Sequence, residues 1–476
     1  MTMRPASCRL ATRACALAVM TALGLAGAAT AHAESLMDVY RQALQSDPVL
    51  KQAEAQNRIG HEGAVQSRAV LLPQINGSVS YNDSHGTQSS SQFVQTTNGT
   101  AFVDSYGHND GRSRNESVQL QQVLFDLGEF AQLKASKANA ASTEAQYAVA
   151  EQNLILRVAQ AYFNVLTDVD NLKYSEANEK ALQKQLDQAQ AKYKVGFAAI
   201  TDVVDAKAQH DTAVAQVISA KNAVFNDRQA LAQITGQPVQ GLDPLTENLP
   251  LNPPEPDNMN TWVKTALASN PTLHAQRDLV QAAGHDVTAA RAGHLPTLDA
   301  SVTYSRNPSW GPDAINPSGL PSNVTNVLRG DNRSSNTTVG FVLSVPLFSG
   351  GATQSRVRQA IAQRDQANDV LEQDRRTTVS NTRSAFNAIK AGISSVEAQK
   401  QAVLSAKTAL DGTQAGYQIG TQTIVNLLIA QENYFQAQSA YSQARHAFVI
   451  NQLNLEYAAG TLSVKDLETV NTLLQK

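Results

Sequence analysis

Apolar and polar side chains alternate at every second position in four stretches of the chain. In the first stretch, Ile75, Val79 and Tyr81 fall on one side of an extended segment. The apolar positions of the second stretch are Val118, Leu120 and Leu124, and those of the third are Leu298, Ala300, Val302 and Tyr304. Those of the fourth are Val339, Phe341, Leu343, Val345 and Leu347. A period of two over about nine residues is typical of membrane β-barrel strands, but two β-hairpins packed on a soluble core would alternate in the same way. The polar segments Ser84–Glu116 and Arg306–Asn336 are predicted as long loops.

Long helices are predicted after the returning strands. Between Leu127 and Tyr193 there is no proline, and the one glycine, Gly128, stands near the start, so an unbroken helix of about 100 Å is expected. Within it, apolar residues step by three and four positions, as in a coiled-coil seam: Ile155, Val158, Tyr162, Val165, Val169 and Leu172. The chain after Pro346 also lacks proline. Because such thin apolar stripes cannot be buried by one helix, we expect the helices to pack in pairs and against other subunits.

The chain is an internal duplication. Several landmarks recur in the same order and at a nearly constant separation: Leu44–Pro48 as Leu267–Pro271, Leu72-Pro73 as Leu295-Pro296, Leu124-Phe125 as Leu347-Phe348, Phe163-Asn164 as Phe386-Asn387, and Tyr193–Gly196 as Tyr417–Gly420. Each copy is predicted as helix, strand, loop, strand, very long helix and helix, over residues 34–236 and 258–460. Residues 237–257 are a proline-rich linker, interpreted mainly as a spacer, and residues 461–476 form a C-terminal tail.

The first 33 residues are predicted to be a cleaved signal peptide. Three arginines precede a short apolar run, and Ala31-His32-Ala33 provides an A-x-A cleavage site before Glu34. Both cysteines, Cys8 and Cys15, lie in this segment. The exported protein is therefore expected to have neither a disulfide nor a reactive thiol.

Charge and motifs give no support for an enzyme or a nucleic-acid-binding protein. The formal net charge is only −3, so no nucleic-acid partner is predicted. The histidines have no metal-ligand spacing, and the chain has no G-x-x-x-x-G-K-[ST] loop, so no cofactor is expected. His210 beside Asp211, and His294 near Asp299, are interpreted as surface polar residues.

If the alternating strands face lipid, the chain must oligomerise. Four strands form an open sheet, and edges exposed to lipid leave backbone groups unsatisfied at several kcal/mol each. Several identical chains could close the sheet, although the strand count does not fix their number.

The sequence resembles the TolC family of outer-membrane efflux channels over essentially all of Glu34–Lys476. The resemblance is carried by Leu71–Gln74, Ala161–Leu166, Val195-Gly196, Ala199–Val203, His294–Asp299 and Gly420–Val425. It implies a mostly α-helical protein with a membrane β-barrel, in which long antiparallel coiled-coil helices form an α-barrel tunnel. Four strands per chain would contribute to a shared, trimeric, 12-stranded barrel.

The same resemblance implies a function and a location. The homotrimer would be a passive exit duct for small-molecule efflux, type I protein secretion or both. It would contact lipid in the outer membrane of a Gram-negative bacterium and extend into the periplasm. An inner-membrane pump of RND, ABC or MFS type would energise it through a periplasmic adaptor. The alternative is that the chain is itself a periplasmic coiled-coil adaptor or scaffold protein.

By this resemblance, the two Tyr-x-x-Gly turns form the tip of the periplasmic mouth. Val195, Gly196, Ile419 and Gly420 would be the adaptor-docking residues. As motifs alone the turns are weak signals, although glycine suits a tight helix reversal.

The resemblance also implies a constriction. Asp202, linked to Tyr417 of the neighbouring turn, would help to hold the mouth closed, with Asp205, Gln422 and Asn426 nearby. Without the resemblance, the two aspartates would be interpreted as solvated charges on one helical face.

Departures from the family pattern at three positions bear on this constriction. The family has arginine at the position of Gln422, and acids at the positions of Asn426 and Ile429. We therefore expect a more weakly held mouth. Block by cations is not predicted at this site, although Asp205 could restore part of the negative field.

Overall fold

The structure is a computed structural model that describes residues 33–96, 99–239, 241–317, 326–329 and 332–475. The predicted signal peptide lies outside the described residues, apart from Ala33. The helices are α1 (Leu36–Ser46), α2 (Pro48–Val70), α3 (Leu127–Lys194), α4 (Ile200–Thr235), α5 (Met259–Ser269), α6 (Pro271–Ala292), α7 (Ala352–Gln418), α8 (Ile424–Ala459) and α9 (Val464–Asn471). The strands are β1 (Gln74–Thr96), β2 (Gly99–Phe125), β3 (Thr297–Trp310), β4 (Pro312–Pro317), β5 (Asn326–Arg329) and β6 (Asn332–Ser344).

The described residues divide into two compact units. The first unit falls within residues 1–55, 145–274 and 372–476, and the second within 56–144 and 275–371. None of the described helices is both long and apolar enough to cross a membrane.

The second unit contains an antiparallel sheet of four long strands in the order β1-β2-β3-β6, so the prediction of four long strands is confirmed. The short strands β4 and β5 pair beyond the end of β3. Within the described residues, β1 pairs only with β2, and β6 only with β3.

The strand register produces one apolar face and one polar face. Ile75, Leu120, Val302 and Val339 form a row of direct cross-strand neighbours. The next row consists of polar residues: Asn76, Gln119, Thr303 and Thr338. In the apolar row, Ile75 is 68% exposed and Val339 is 63% exposed. The face is therefore not packed on a soluble core, which argues against the alternative of two hairpins on such a core.

The predicted long loops are wrong for most of their length. β1 continues to Thr96, and β2 begins at Gly99, so most of the first predicted loop is a paired hairpin. Much of the second predicted loop is also paired, while residues 318–325 and 330–331 lie outside the described residues. The cause is that an antiparallel ladder satisfies backbone groups whatever the side chains are, so polar composition alone does not end a strand. The rings of Phe93 and Phe102 also pack across the hairpin, with centroids 5.0 Å apart.

The core of the first unit is built around α3, as the coiled-coil pattern predicts. Ile155, Val158, Tyr162 and Val165 are all at most 3% exposed. The Tyr162 hydroxyl lies 3.1 Å from the Glu34 carbonyl oxygen and 2.9 Å from that of Asp243. Burial raises the pKa of the Tyr162 phenol well above its usual value, so it stays a hydrogen-bond donor.

The linker packs into this core and is more than a spacer. Val239 and Leu245 are 5% and 6% exposed. The tail also packs here, because Leu467 and Val470 of α9 are buried and Leu474 pairs with Leu245.

The first repeat has a buried ion pair at the junction of α1 and α2. The Asp47 carboxylate is 2% exposed and accepts two hydrogen bonds from Arg157, at 2.7 and 3.3 Å. It also caps α2 by accepting from the Leu50 amide at 2.8 Å. At the matching junction of the second repeat, Asn270 caps α6 through the Thr272 amide at 2.9 Å. The two repeats thus cap the helix after this junction with different side chains, an ion-paired aspartate in the first and a neutral asparagine in the second.

A row of polar pairs joins α3 to α8. The pairs are Thr167 with His446, Asp170 with Ser442, Asn171 with Ser439 and Asn178 with Gln431. Buried hydrogen bonds fix the register of two packed helices, because any slip would leave polar groups unpaired.

Candidate functional site

Two turns of the same construction reverse the chain between long helices. The first turn joins α3 to α4 and the second joins α7 to α8. Gly196 has φ of 80° and Gly420 has φ of 81°, a left-handed conformation that favours glycine. In each turn a backbone amide beyond the glycine bonds back to the last helical turn, with Phe197 N donating to Lys192 O at 2.8 Å and Thr421 N to Gly416 O at 2.9 Å.

The surface of both turns is apolar. Val195 is 67% exposed and Ile419 is 77% exposed. Phe197, which the sequence reasoning missed, is 85% exposed, and its signal was a bulky apolar residue directly after the turn glycine. Exposed apolar side chains at a helix reversal are what a docking surface requires, although docking itself stays a prediction.

A small apolar cluster packs the two turn segments together. Its buried members are Leu182, Leu186, Ala189, Ala206, Ala213, Ile424 and Leu428. They come from α3, α4 and the first turns of α8, so the second helix pair rests on the first. Tyr417 packs its half-buried ring against this cluster, and Lys192 Nζ lies 4.1 Å from the centre of that ring.

The two predicted aspartates lie at the start of α4. Asp202 stands in the first turn, where a carboxylate is favoured by the partial positive charge of the helix N-terminus. Within the described part of the chain, the Asp202 and Asp205 side chains form no hydrogen bond or ion pair, so no hydrogen bond joins Asp202 to the Tyr417 hydroxyl. The link between Asp202 and Tyr417 stays a prediction.

Gln422 and Asn426 form a neutral pair at the second turn. Asn426 Nδ2 donates to Gln422 Oε1 at 2.8 Å, and the Thr423 hydroxyl caps α8 through the Asn426 amide. The Gln422 side chain lies over Gly416, where an added Cβ would be 2.7 Å from Gln422 Cγ. Both partners belong to the same turn, so this hydrogen bond does not connect one turn to the other.

The interpretation of His210 as a surface residue is wrong. Its side chain is 15% exposed, and Nε2 lies 3.2 Å from Glu179 Oε1 on the neighbouring α3, because that face of α4 is turned toward α3. His294 is exposed. No group of three or more His, Cys, Asp or Glu residues able to hold a metal ion occurs within the described ranges.

Comparison with known proteins identifies the family. The sequence model of the family described as "Outer membrane efflux protein" matches residues 39–237 and again residues 262–461. The chain belongs to this family. It is 36% identical to the outer membrane protein TolC of Escherichia coli strain K12 over 464 residues, which is 97% of this chain and 89% of that protein.

Two further similarities extend the comparison. The alkaline protease secretion protein AprF of Pseudomonas aeruginosa strain PAO1 is 28% identical over 92% of this chain and 87% of its own length. The crystal structure of the Campylobacter jejuni CmeC outer membrane channel has a TM-score of 0.70 at 18% identity, covering 93% of this chain and 90% of that one. The fold is that of a TolC-like channel subunit, and the chain is an outer-membrane efflux protein. Nothing in these similarities favours the adaptor or scaffold alternative.

Proposed function

We propose that three copies of this chain form a passive duct through the outer membrane into the periplasm. Support for a lipid-facing sheet comes from its apolar rows, such as Ile75 to Val339, which alternate with polar rows. One apolar and one polar face is the pattern of strands with lipid on one side and water on the other. Four long strands from each of three subunits would make the 12-stranded barrel.

Apolar side chains on the helices also need partners beyond the single chain. On α4, Ile218 is 64% exposed and Phe225 is 60% exposed, seven residues apart and therefore on one helical face. On α7, Leu404 is 59% exposed. A homotrimer would bury such stripes between subunits, as the long helices of the tunnel require.

Two cargo classes are proposed for the duct. Efflux of small molecules follows from the family, whereas type I protein secretion is favoured by the similarity to AprF, which is by its name a protease secretion protein. In either case an inner-membrane pump of RND, ABC or MFS type would supply the energy through a periplasmic adaptor that docks at Val195, Gly196, Ile419 and Gly420.

The duct would be closed at the two reversal turns. The observation that carries this proposal is the matched pair of glycine turns, held together by one apolar cluster and followed in the first case by Asp202 and Asp205. Carboxylates at a narrow mouth set its charge, and their contacts with the neighbouring turn, Tyr417 above all, would hold the mouth closed.

Single-channel recording in a planar bilayer tests this function. Wild type is compared with Asp202→Ala, and with Asp369→Ala as a control that removes the same charge from an exposed position in α7. We expect small, stable wild-type currents that grow only in Asp202→Ala. Currents that this substitution leaves unchanged would keep the duct and reject Asp202 as a gate residue. No current from inserted oligomers would reject the duct.

A further inference from the structure

The apolar seam of α3 ends in a lysine that faces an aromatic ring. Leu182, Leu186 and Ala189 are spaced by four and three residues and are all buried in the cluster described above. Lys192 follows three residues later and so continues the same face. Its ammonium lies 4.1 Å from the centre of the Tyr417 ring, well within the range of a cation–π contact.

Lys192 is held in place at both ends. Its carbonyl oxygen accepts the turn hydrogen bond from Phe197 N, which fixes the backbone. Its charge lies in the last turn of α3, where the partial negative charge of the helix C-terminus favours a cation. In the part of the chain that the structure describes, Lys192 forms no ion pair, so the Tyr417 ring is the contact that holds the ammonium.

This contact joins the two turn segments of one subunit. Lys192 precedes the first turn, and Tyr417 precedes the second. The amide pair of Gln422 and Asn426 stays within the second turn, and within the described residues the Asp202 carboxylate forms no hydrogen bond with either turn. Across the described ranges, the Lys192–Tyr417 contact is the one charged contact between these segments.

We propose that Lys192 is a positioning residue of the channel mouth. Its ammonium holds the Tyr417 ring against the cluster of α3, α4 and α8, and it thereby keeps the two reversal turns together in the closed state. The proposal rests on the proposed duct and its mouth. It assigns to the ring of Tyr417 a role separate from that of its hydroxyl, which the predicted contact with Asp202 would use.

The test measures the effect of Lys192→Met in three backgrounds: wild type, Tyr417→Phe and Tyr417→Leu. Methionine keeps the length of the side chain but removes its charge, phenylalanine keeps the ring, and leucine removes it. Lys194→Met is the matched control, since it removes the same charge from the same helical turn. Lys192→Arg should restore wild-type behaviour, because arginine also stacks on aromatic rings.

In planar bilayers, we expect Lys192→Met to raise the ratio of open to closed channels by about 2- to 30-fold, the effect of losing one cation–π contact. The increase should persist in Tyr417→Phe and vanish in Tyr417→Leu. An increase no larger than that of Lys194→Met, or one that survives in Tyr417→Leu, would overturn the proposal.

A second readout does not depend on conduction. Hydrogen exchange of backbone amides in residues 415–428 should be faster in Lys192→Met than in Lys194→Met, and Lys192→Arg should restore the protection. If inserted wild-type oligomers carry no current but exchange is still faster in Lys192→Met than in Lys194→Met, the proposed duct function is rejected and the positioning role of Lys192 is supported. Identical exchange in the two methionine variants rejects the positioning role whatever the currents show.

Discussion

Acidification should destabilise the protein through one buried histidine, His446. This residue is 3% exposed, and its Nδ1 lies 2.8 Å from the Thr167 hydroxyl oxygen. The single proton of that hydroxyl is donated to the Phe163 carbonyl, so Nδ1 must carry a proton and donate to Thr167, which leaves Nε2 unprotonated. Burial lowers the pKa of His446 to about 4, with Arg445 acting in the same direction and Asp170 opposing it.

The sign and size of the effect follow from the difference between folded and unfolded chains. In the unfolded chain histidine titrates near pH 6.5, so between that pH and about 4 the unfolded state binds more protons than the folded state. The contribution of neutral His446 is complete above pH 6.5 and is lost as the pH falls to about 4. The full shift corresponds to about 3 kcal/mol per subunit.

The assay is urea unfolding at pH values from 7 to 4, for wild type and His446→Asn. Asparagine can still donate to Thr167 but does not titrate in this range. Burial raises the pKa values of Asp168, Asp286 and Glu456, which favours the folded state on acidification. Both proteins contain these groups, so their contribution cancels when the pH profile of the variant is subtracted from that of wild type. Wild type should lose about 3 kcal/mol more than the variant. Parallel pH profiles would refute the reasoning.

Three further predictions concern the junction, the turns and the mouth. Asp47→Ala should lower the free energy of unfolding in urea by about 3 kcal/mol, the low end for a broken buried ion pair because the Arg157 side chain is 28% exposed. A loss below about 1 kcal/mol, the size expected for a surface ion pair, would contradict this. Gly420→Ala should lower the free energy of unfolding in urea by about 1 to 2 kcal/mol because of the positive φ at this position. The control Gly412→Ala, in open space within α7, should be neutral or stabilising. Equal effects of the two substitutions would exclude a conformational cause. Asn426→Asp should increase block of the channel current by divalent cations, and an unchanged block would show that this position does not set the charge of the mouth.

Features that depend on local chemistry could be predicted from the sequence. The alternation around Ile75 and Val302 predicts strands because successive side chains must point to opposite faces. The absence of proline after Leu127 predicts the unbroken α3. Gly196 and Gly420 predict reversals because other residues are strained at positive φ.

The extent of the strands could not be predicted in the same way. Residues beyond Ser84 are rich in serine, asparagine and glycine, a composition that also suits loops. Their pairing depends on the partner strand, which supplies backbone hydrogen bonds regardless of side chain. Phe93 and Phe102, which face each other across the hairpin, were a signal for strand pairing, but the polar composition around them favoured a loop.

The contacts of the candidate site depend on tertiary packing. Lys192 and Tyr417 are distant in sequence, and no local pattern connects a lysine before one turn with a tyrosine before the other. The burial of His446 likewise depends on α3, because Thr167 and Phe163 lie on that helix. A periodic pattern shows which face of a helix is buried, but it does not show which residue of another helix will meet it.

The outer strands β1 and β6, each paired on one side only within the described residues, have a consequence for biogenesis. A lone subunit placed in lipid would expose the free edges of β1 and β6, at several kcal/mol for each unsatisfied backbone group. If the sheet faces lipid as proposed, this cost disfavours subunits that enter the bilayer one by one and meet there by lateral diffusion. In the proposed trimer, insertion and trimerisation would form a single concerted event, and we expect that subunits inserted together do not exchange between channels afterwards.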